Sequence, residues 1–257
     1  MIRAVNLIML IVVLAPVVVV MWMSLTPTAM FVLPITQFSF RWYREALSYP
    51  GFVDAFFLSA ELALFAALIT LALCFLAVYG IVRYRPAGAA VLRSFFTAPL
   101  LVSAVVFGIA MLQFVNRIGL YNQFSGLLLA HVVLVVPFAI RSLEATVRAV
   151  PEELEWASMI LGRSRANTLL RITLPLCARG LVTAFLFCFL LSFSEVTTTL
   201  FMTGPSLQTL PVRIYTYMSD RIDPTVAAVS ALVVLVSLAV VVFLNLLGGF
   251  RRLDSQG

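Results

Sequence analysis

Apolar runs about as long as a bilayer is thick dominate this chain and leave it few possible folds. A helix rises about 1.5 Å per residue, so about 20 residues cross a 30 Å hydrocarbon core. Six stretches reach that length, at roughly 4–25, 55–82, 94–115, 124–143, 180–202 and 226–249. Of 257 residues, 63% are hydrophobic and only 11% charged. A soluble domain of this size is nearer half apolar and a quarter charged. No single water-soluble core holds the excess, so the solvent is lipid. In lipid every backbone polar group must be paired internally, which admits helices and closed barrels. Barrels need short alternating segments, whereas these runs are continuous. The expected fold class is all-α integral membrane, with six transmembrane helices in one domain, 1–257.

The runs carry further signals. The first follows a lone arginine and lacks a small-residue cleavage pattern, so it reads as a retained span and not a removed signal peptide. The fourth contains His131 and Pro137; proline is tolerated in a span when neighbouring helices re-satisfy the freed carbonyl. His131 has no carboxylate neighbour in sequence and is expected to bridge helices rather than bind metal. Cys74, Cys177 and Cys188 lie in or beside apolar runs and form neither a C-x-x-C pair nor a disulfide framework.

Every basic residue is an arginine, and the arginines set an orientation. With the N-terminus inside, the inner segments hold Arg3, Arg83, Arg85, Arg93, Arg141, Arg148, Arg163, Arg165, Arg171, Arg179, Arg251 and Arg252. The outer ones hold only Arg41, Arg44, Arg117, Arg213 and Arg221. By the positive-inside rule both termini are expected in the cytoplasm. The net charge of +6 is thereby explained without nucleic acid as a partner. The first outer segment, 26–53, carries interface aromatics such as Trp42 and Tyr43. The segment 203–225 suits a loop or short helix on the outer side.

One polar segment between the fourth and fifth runs stands apart: PEELEWASMILGRSRANTLLRITLP, residues 151–175. Pro151 suits the first position of a helix, and Glu152 and Glu153 suit its first turn. At 100° per residue, Leu154, Ala157 and Leu161 share one side, and Trp156, Met159 and Ile160 the opposite one. A surface helix needs one apolar stripe. Two stripes predict two packing partners: the chain's own bundle and another protein. Gly162 is placed to end the helix through a positive φ.

The acidic start, Gly162 and Ile172-Thr173-Leu174-Pro175, spaced G-x9-I-x-L-P, resemble the cytoplasmic EAA loop of binding-protein-dependent ABC importer permeases. The run LSFSEVTTTLFMTGPSLQTLPVRIYTYMSDRIDPTVAAVSALVVL is similar to the last two spans of the spermidine/putrescine-type subfamily, and FSFRWYREAL to its first outer loop. The likeness covers approximately residues 5–250. It implies a type I ABC importer permease fold with a coupling helix on which a separate ATPase docks. The docking residues it implies are Glu153, Glu155, Trp156, Ala157, Ser158, Met159, Gly162 and Arg165. The chain departs from the family pattern by carrying Trp156-Ala157-Ser158 in place of Glu-Ala-Ala, and by Ser194-Glu195 where polyamine permeases carry an acidic pair.

The resemblance further implies an ATPase subunit dimer, a second homologous permease and an extracytoplasmic solute-binding protein as partners, in a bacterial inner membrane. ATP and magnesium belong to the partner ATPase, and no cofactor is expected in this chain. A Walker A sequence requires lysine, and there is none. The solute is expected to be a small charged organic molecule such as a polyamine, with a phosphonate, opine or ferric iron as alternatives. An ATP-independent channel or carrier leaves the 151–175 segment unexplained. A membrane-embedded enzyme would need H-E-x-x-H, paired histidines or G-x-S-x-G, and the sequence has none of these.

Charged groups within spans are costly and face bundle interiors or water paths. Glu195, amid Ser194, Thr198 and other hydroxyls, is the leading solute-path candidate, with an arginine partner as its structural alternative. Glu61 and Asn116 are further candidates, although amides such as Asn116 and Gln113 also bridge helices.

Overall fold

The computed structural model describes residues 2–28, 37–204, 207–221 and 223–249. Arg251 and Arg252, counted in the charge asymmetry, lie outside them, as do residues 29–36 of the first outer segment. Every regular element among the described residues is helical. They form two compact units, Met1–Phe57 with Leu210–Phe243, and Leu58–Thr209 with Leu244–Gly257.

The first unit contains α1 (Ile2–Met23), α2 (Arg41–Ser48), the start of α3 (Phe52–Tyr84), α11 (Leu210–Asp220) and most of α12 (Thr225–Gly249). The short helix α2 buries Trp42 and Ala46, and the Trp42 indole donates to the Thr26 carbonyl at 2.7 Å. Tyr49, Phe52 and Tyr217 meet ring to ring, with centroids 5.0–5.4 Å apart. The expected helix within 203–225 is α11. Its Tyr217 hydroxyl donates to Asp223, whose other carboxylate oxygen accepts the Thr225 N–H and caps α12.

The second unit is built on α3, α6 (Phe124–Arg148) and α9 (Leu174–Phe193). Its core combines Cys74, Phe75, Val78 and Val82 of α3, Val135, Ala139, Ile140, Leu143 and Val147 of α6, and Cys177, Ala184 and Cys188 of α9. The helices α6 and α9 run against each other. Gly180 allows that approach: a Cβ there would collide with the Thr146 side chain.

Two expected spans are not straight helices. The run 94–115 is divided between α4 (Ala89–Thr97), continued by a 3₁₀ turn to Leu101, and α5 (Ala104–Arg117), which meet at 105°. Pro99 sits in the 3₁₀ turn and Val102 is extended, so the helical ladder stops there. The expected span 180–202 starts earlier and ends sooner. Helix runs unbroken from Arg165 to Phe193, as α8 (Arg165–Thr168), a π turn and α9, and halts at Ser194 before α10 (Thr197–Met202).

Among the described residues, three helical stretches are therefore long and apolar enough to cross a membrane: Phe52–Tyr84, Phe124–Arg148 and Arg165–Phe193. The bent pair makes a fourth if it counts as one span. Helices α1 and α12 supply shorter apolar stretches, Ile8–Met23 and Thr225–Ala239.

Candidate functional site: the α7 connector and the broken span

The segment between α6 and α9 opens with α7 (Glu152–Ile160). Pro151 precedes it with φ −60°, and Glu152, Glu153 and Glu155 occupy its first turn, where the helix dipole favours carboxylates. Gly162 ends it with φ +86°. The Gly162 N–H donates to the Met159 carbonyl and the Arg163 N–H to that of Ser158, the paired bonds of a Schellman cap. Ser164 then caps α8 by accepting the Asn167 N–H.

Between α8 and α9 the backbone widens into a π turn, Leu169–Thr173. Pro175 offers no N–H and would crowd the carbonyl four residues back in a regular helix; a wider turn relieves that conflict. The turn carries Thr173, at the unassigned position of Ile-x-Leu-Pro, into the interior, where it is fully buried.

The buried face of α7 is polar, contrary to the expectation that one apolar stripe packs against the bundle; Leu154, Ala157 and Leu161 form one of the two stripes. All three are exposed, whereas Glu155 is 4% exposed and Ser158 is buried. Arg83, in the last turn of α3, lies 2.9 Å from the Glu155 carboxylate and also donates to the carbonyls of Val147 and Val150 at the end of α6. The hydroxyls of Tyr79 and Thr173 donate to the same carboxylate, at 3.1 and 2.8 Å. Ser158 shares a 3.0 Å hydrogen bond with Thr168. A buried carboxylate is tolerated only when paired and hydrogen-bonded. Glu155 is both, and it ties α3, α6, α7 and the π turn together.

With the polar residues turned inward, the apolar ones face outward. Trp156, Ile160 and Leu161 are 61%, 85% and 84% exposed, and Met159 is half-buried. Glu153 is exposed on the same helix, and Arg165 lies over the Tyr84 ring at 5.4 Å. Two clefts flank the start of α7. One, of about 460 Å³, is lined by Arg83, Arg85, Arg148, Glu152, Glu153 and Trp156, among others. The other, of about 470 Å³, includes Thr146, Leu154, Leu176 and Gly180. The helix thus presents exposed apolar side chains and is held from behind by a buried ion pair.

The expected ATPase-contact residues thus divide into two groups. Glu155 and Ser158 face inward; Glu153, Trp156, Ala157, Gly162 and Arg165 are exposed, with Met159 between. Sequence reading missed Arg83, Tyr79 and Thr173. Arg83 counted there only as a topology signal, and its partner lies 72 residues away.

The solute-path candidates also separate. Ser194 and Glu195 stand at the break between α9 and α10, and one Glu195 carboxylate oxygen accepts the Thr198 N–H at 2.6 Å. Glu195 is therefore half-buried at a helix start and not within a continuous span. The Ser194 hydroxyl donates back to the Leu190 carbonyl. Thr198 is buried, and its hydroxyl has no hydrogen-bond partner among the described residues. Glu61 and Asn116 are exposed on α3 and α5, and no side-chain hydrogen bond among the described residues joins them to the break. His131 is fully buried and bridges that break, as expected of it. Its two ring nitrogens lie 2.8 Å from the Ser192 hydroxyl and 2.9 Å from that of Thr199. Among the described residues no group of three or more His, Cys, Asp or Glu is placed to hold a metal ion.

Known proteins are similar to this chain over most of its length. The spermidine/putrescine transport system permease protein PotC of Haemophilus influenzae is 27% identical over 210 residues, 82% of either chain. The sulfoquinovosyl glycerol transport system permease protein SmoH of Agrobacterium fabrum is 29% identical over 232 residues, 86% of this chain and 80% of that one. Among solved structures, a chain of a bacterial ABC transporter importing the acidic polysaccharide alginate superposes with a TM-score of 0.69 at 16% identity, covering 97% of this chain and 95% of that one. The family described as binding-protein-dependent transport system inner membrane component matches residues 75–252, from the core of α3 through the α7 connector and beyond, and the chain belongs to that family of ABC importer permeases.

Proposed function

We propose that this chain is one transmembrane subunit of an ATP-driven importer, that α7 is the element on which a separate ATPase subunit dimer acts, and that the solute is a small cationic amine of the polyamine class. The observation that carries the coupling reading is the outward display of Trp156, Ile160 and Leu161 on a helix whose inner face is bonded to α3 by Glu155. A second, homologous permease completes the path and an extracytoplasmic binding protein delivers solute. Both termini lie in the cytoplasm, by the arginine asymmetry. ATP and magnesium are held by the ATPase, and this chain performs no chemistry of its own. ATPase closure moves α7, and the Glu155–Arg83 bonds pass that movement to α3 and α6.

The amine assignment draws on the PotC likeness and on Glu195. The SmoH likeness is of similar strength, so identity alone does not choose the solute. Glu195 favours a cation: among the described residues its carboxylate has one hydrogen-bond donor, the Thr198 N–H, and such donors do not neutralise charge. An anionic phosphonate is disfavoured by the same carboxylate.

Two variants test the reading. Trp156→Ala removes an exposed aromatic anchor of a kind often worth about 2 kcal/mol in an interface. The expected result is normal membrane insertion with loss of ATPase co-purification or of solute-stimulated hydrolysis; normal values for both would refute α7 as the docking element. Glu195→Gln keeps shape and removes charge, and is expected to lower uptake of labelled spermidine while sparing assembly and basal hydrolysis. Unchanged uptake would remove the charge from the path, and a complex that falls apart would make Glu195 structural.

A further inference from the structure

The first unit carries a cationic cleft and an apolar groove on neighbouring faces of α2. At 100° per residue, Arg41, Arg44, Glu45 and Ser48 share one face of the helix. They line a cleft of about 380 Å³ with Tyr49 and Pro50. Arg41 lies over the Trp42 ring at 4.9 Å, and neither Arg41 nor Arg44 forms an ion pair among the described residues, although Glu45 lines the same cleft. Two more guanidinium groups, of Arg213 and Arg221, approach the Tyr49 ring at 5.9 and 6.0 Å.

About 60° round the helix from Arg44 is Leu47, exposed, at the edge of a groove of about 280 Å³. Every described residue lining that groove is apolar, among them Phe52, Phe56, Phe57, Leu232 and Val233. It is bounded by α2, α3, α11 and α12.

The position of α2 says which medium it meets. It lies in the connection between apolar helix α1, which ends at Met23, and the long span α3, which starts at Phe52. Trp22, Trp42, Tyr43 and Tyr49 cluster in sequence around it, as aromatic residues do at the headgroup level of a bilayer. Phe38, Phe40 and Leu47 are exposed beside the arginines. A helix with an apolar side and an arginine-bearing side lies in the interface plane and is drawn to anionic lipids.

We propose that α2 and the groove beneath it form a site for one anionic phospholipid, its phosphate on Arg44 and Arg41 and one acyl chain along Leu47 into the groove. Charge complementarity selects the occupant. A zwitterionic lipid fills the groove equally well but leaves the two arginines without a net anion. The site needs only that the chain be a membrane protein, so it stands apart from the solute and coupling readings.

The test uses the full-length permease, purified with the chains that accompany it, stripped of endogenous lipid and exposed to mixed micelles of equal phosphatidylglycerol and phosphatidylcholine. Native mass spectrometry reads the retained lipid. The wild type is expected to keep phosphatidylglycerol preferentially, and R41Q/R44Q to bring the ratio towards parity, by about fivefold for each arginine removed. Val233→Trp, which fills the groove while sparing the arginines, is expected to reduce retention of both lipids. Equal retention by the wild type, or a preference untouched by R41Q/R44Q, overturns the proposal. If glycerol phosphate without acyl chains displaces the bound lipid completely, the groove plays no part and the proposal also fails. If R41Q/R44Q keeps its lipid preference and instead loses stimulation by the binding protein, the arginines serve a protein partner and the lipid site is refuted.

Discussion

Glu155 shows how far a side chain's role depends on what faces it. By composition it is one of three glutamates at a helix start, yet it alone is buried, against Arg83, Tyr79 and Thr173. Glu155→Ala would leave the buried Arg83 with two carbonyls and, as its remaining countercharge, the partly exposed Glu152 carboxylate at 3.7 Å. Breaking such a pair commonly costs about 3 kcal/mol or more. The variant is expected to melt well below the wild type in detergent, and R83M/E155M to recover much of the loss. Wild-type melting of Glu155→Ala would show that the pair does not hold α7. Thr173→Val, which deletes one hydrogen bond to the same carboxylate, is expected to cost about 1 kcal/mol. Trp156→Ala should leave the melt unchanged, because the ring is exposed in the isolated chain.

Helix ends carry the next set of constraints. Gly162 holds φ +86° with open space where a Cβ would stand, so its requirement is conformational and not steric contact. Gly162→Asn, which tolerates a left-handed backbone, is expected to keep the Schellman cap and the complex. Gly162→Val pays the left-handed penalty of about 1–2 kcal/mol with a branched side chain added, and is expected to re-aim the 163–168 segment and lower ATPase coupling. Identical coupling in the two variants would refute this role. At α12, burial pushes the Asp223 carboxyl up, but its hydrogen bonds from Thr225 and Tyr217 and the charge of Arg221 outweigh that and hold its pKa below the ordinary value. A depressed pKa means that the stabilisation is present above the ordinary carboxylate range and is lost as pH falls through the lowered value. Protection factors of the amides at the start of α12, which are corrected for the intrinsic slowing of exchange in acid, should therefore fall as pH drops below the ordinary carboxylate range, and Asp223→Asn should remove that dependence.

Topology is a property of the entire chain, and its test must use a reachable residue. Cys74, Cys177 and Cys188 are all buried, so none reports on sidedness and the native background is low. Arg163→Cys and Ser48→Cys occupy exposed positions on segments expected on opposite sides. An impermeant maleimide is expected to label Ser48→Cys in intact cells and Arg163→Cys only in inside-out vesicles. The reverse pattern would overturn the orientation that the arginines imply.

Hydrophobic run length and charge placement are local properties, so the all-helical membrane class and the polar 151–175 connector were legible without coordinates. The glycine at 162 and the Ile-x-Leu-Pro spacing were equally legible, because a cap and a proline act within a few residues of themselves. The faces of α7 were not. Periodicity ranks side chains by hydrophobicity, but burial of Glu155 depends on Arg83, which arrives from another helix. For the same reason the breaks at Val102 and at Ser194–Val196 escaped a hydropathy reading: apolar character continues through them while the backbone does not. Run length states how much chain prefers lipid. Where that chain bends, and which polar group it encloses, follows from partners that only folding brings within hydrogen-bond distance.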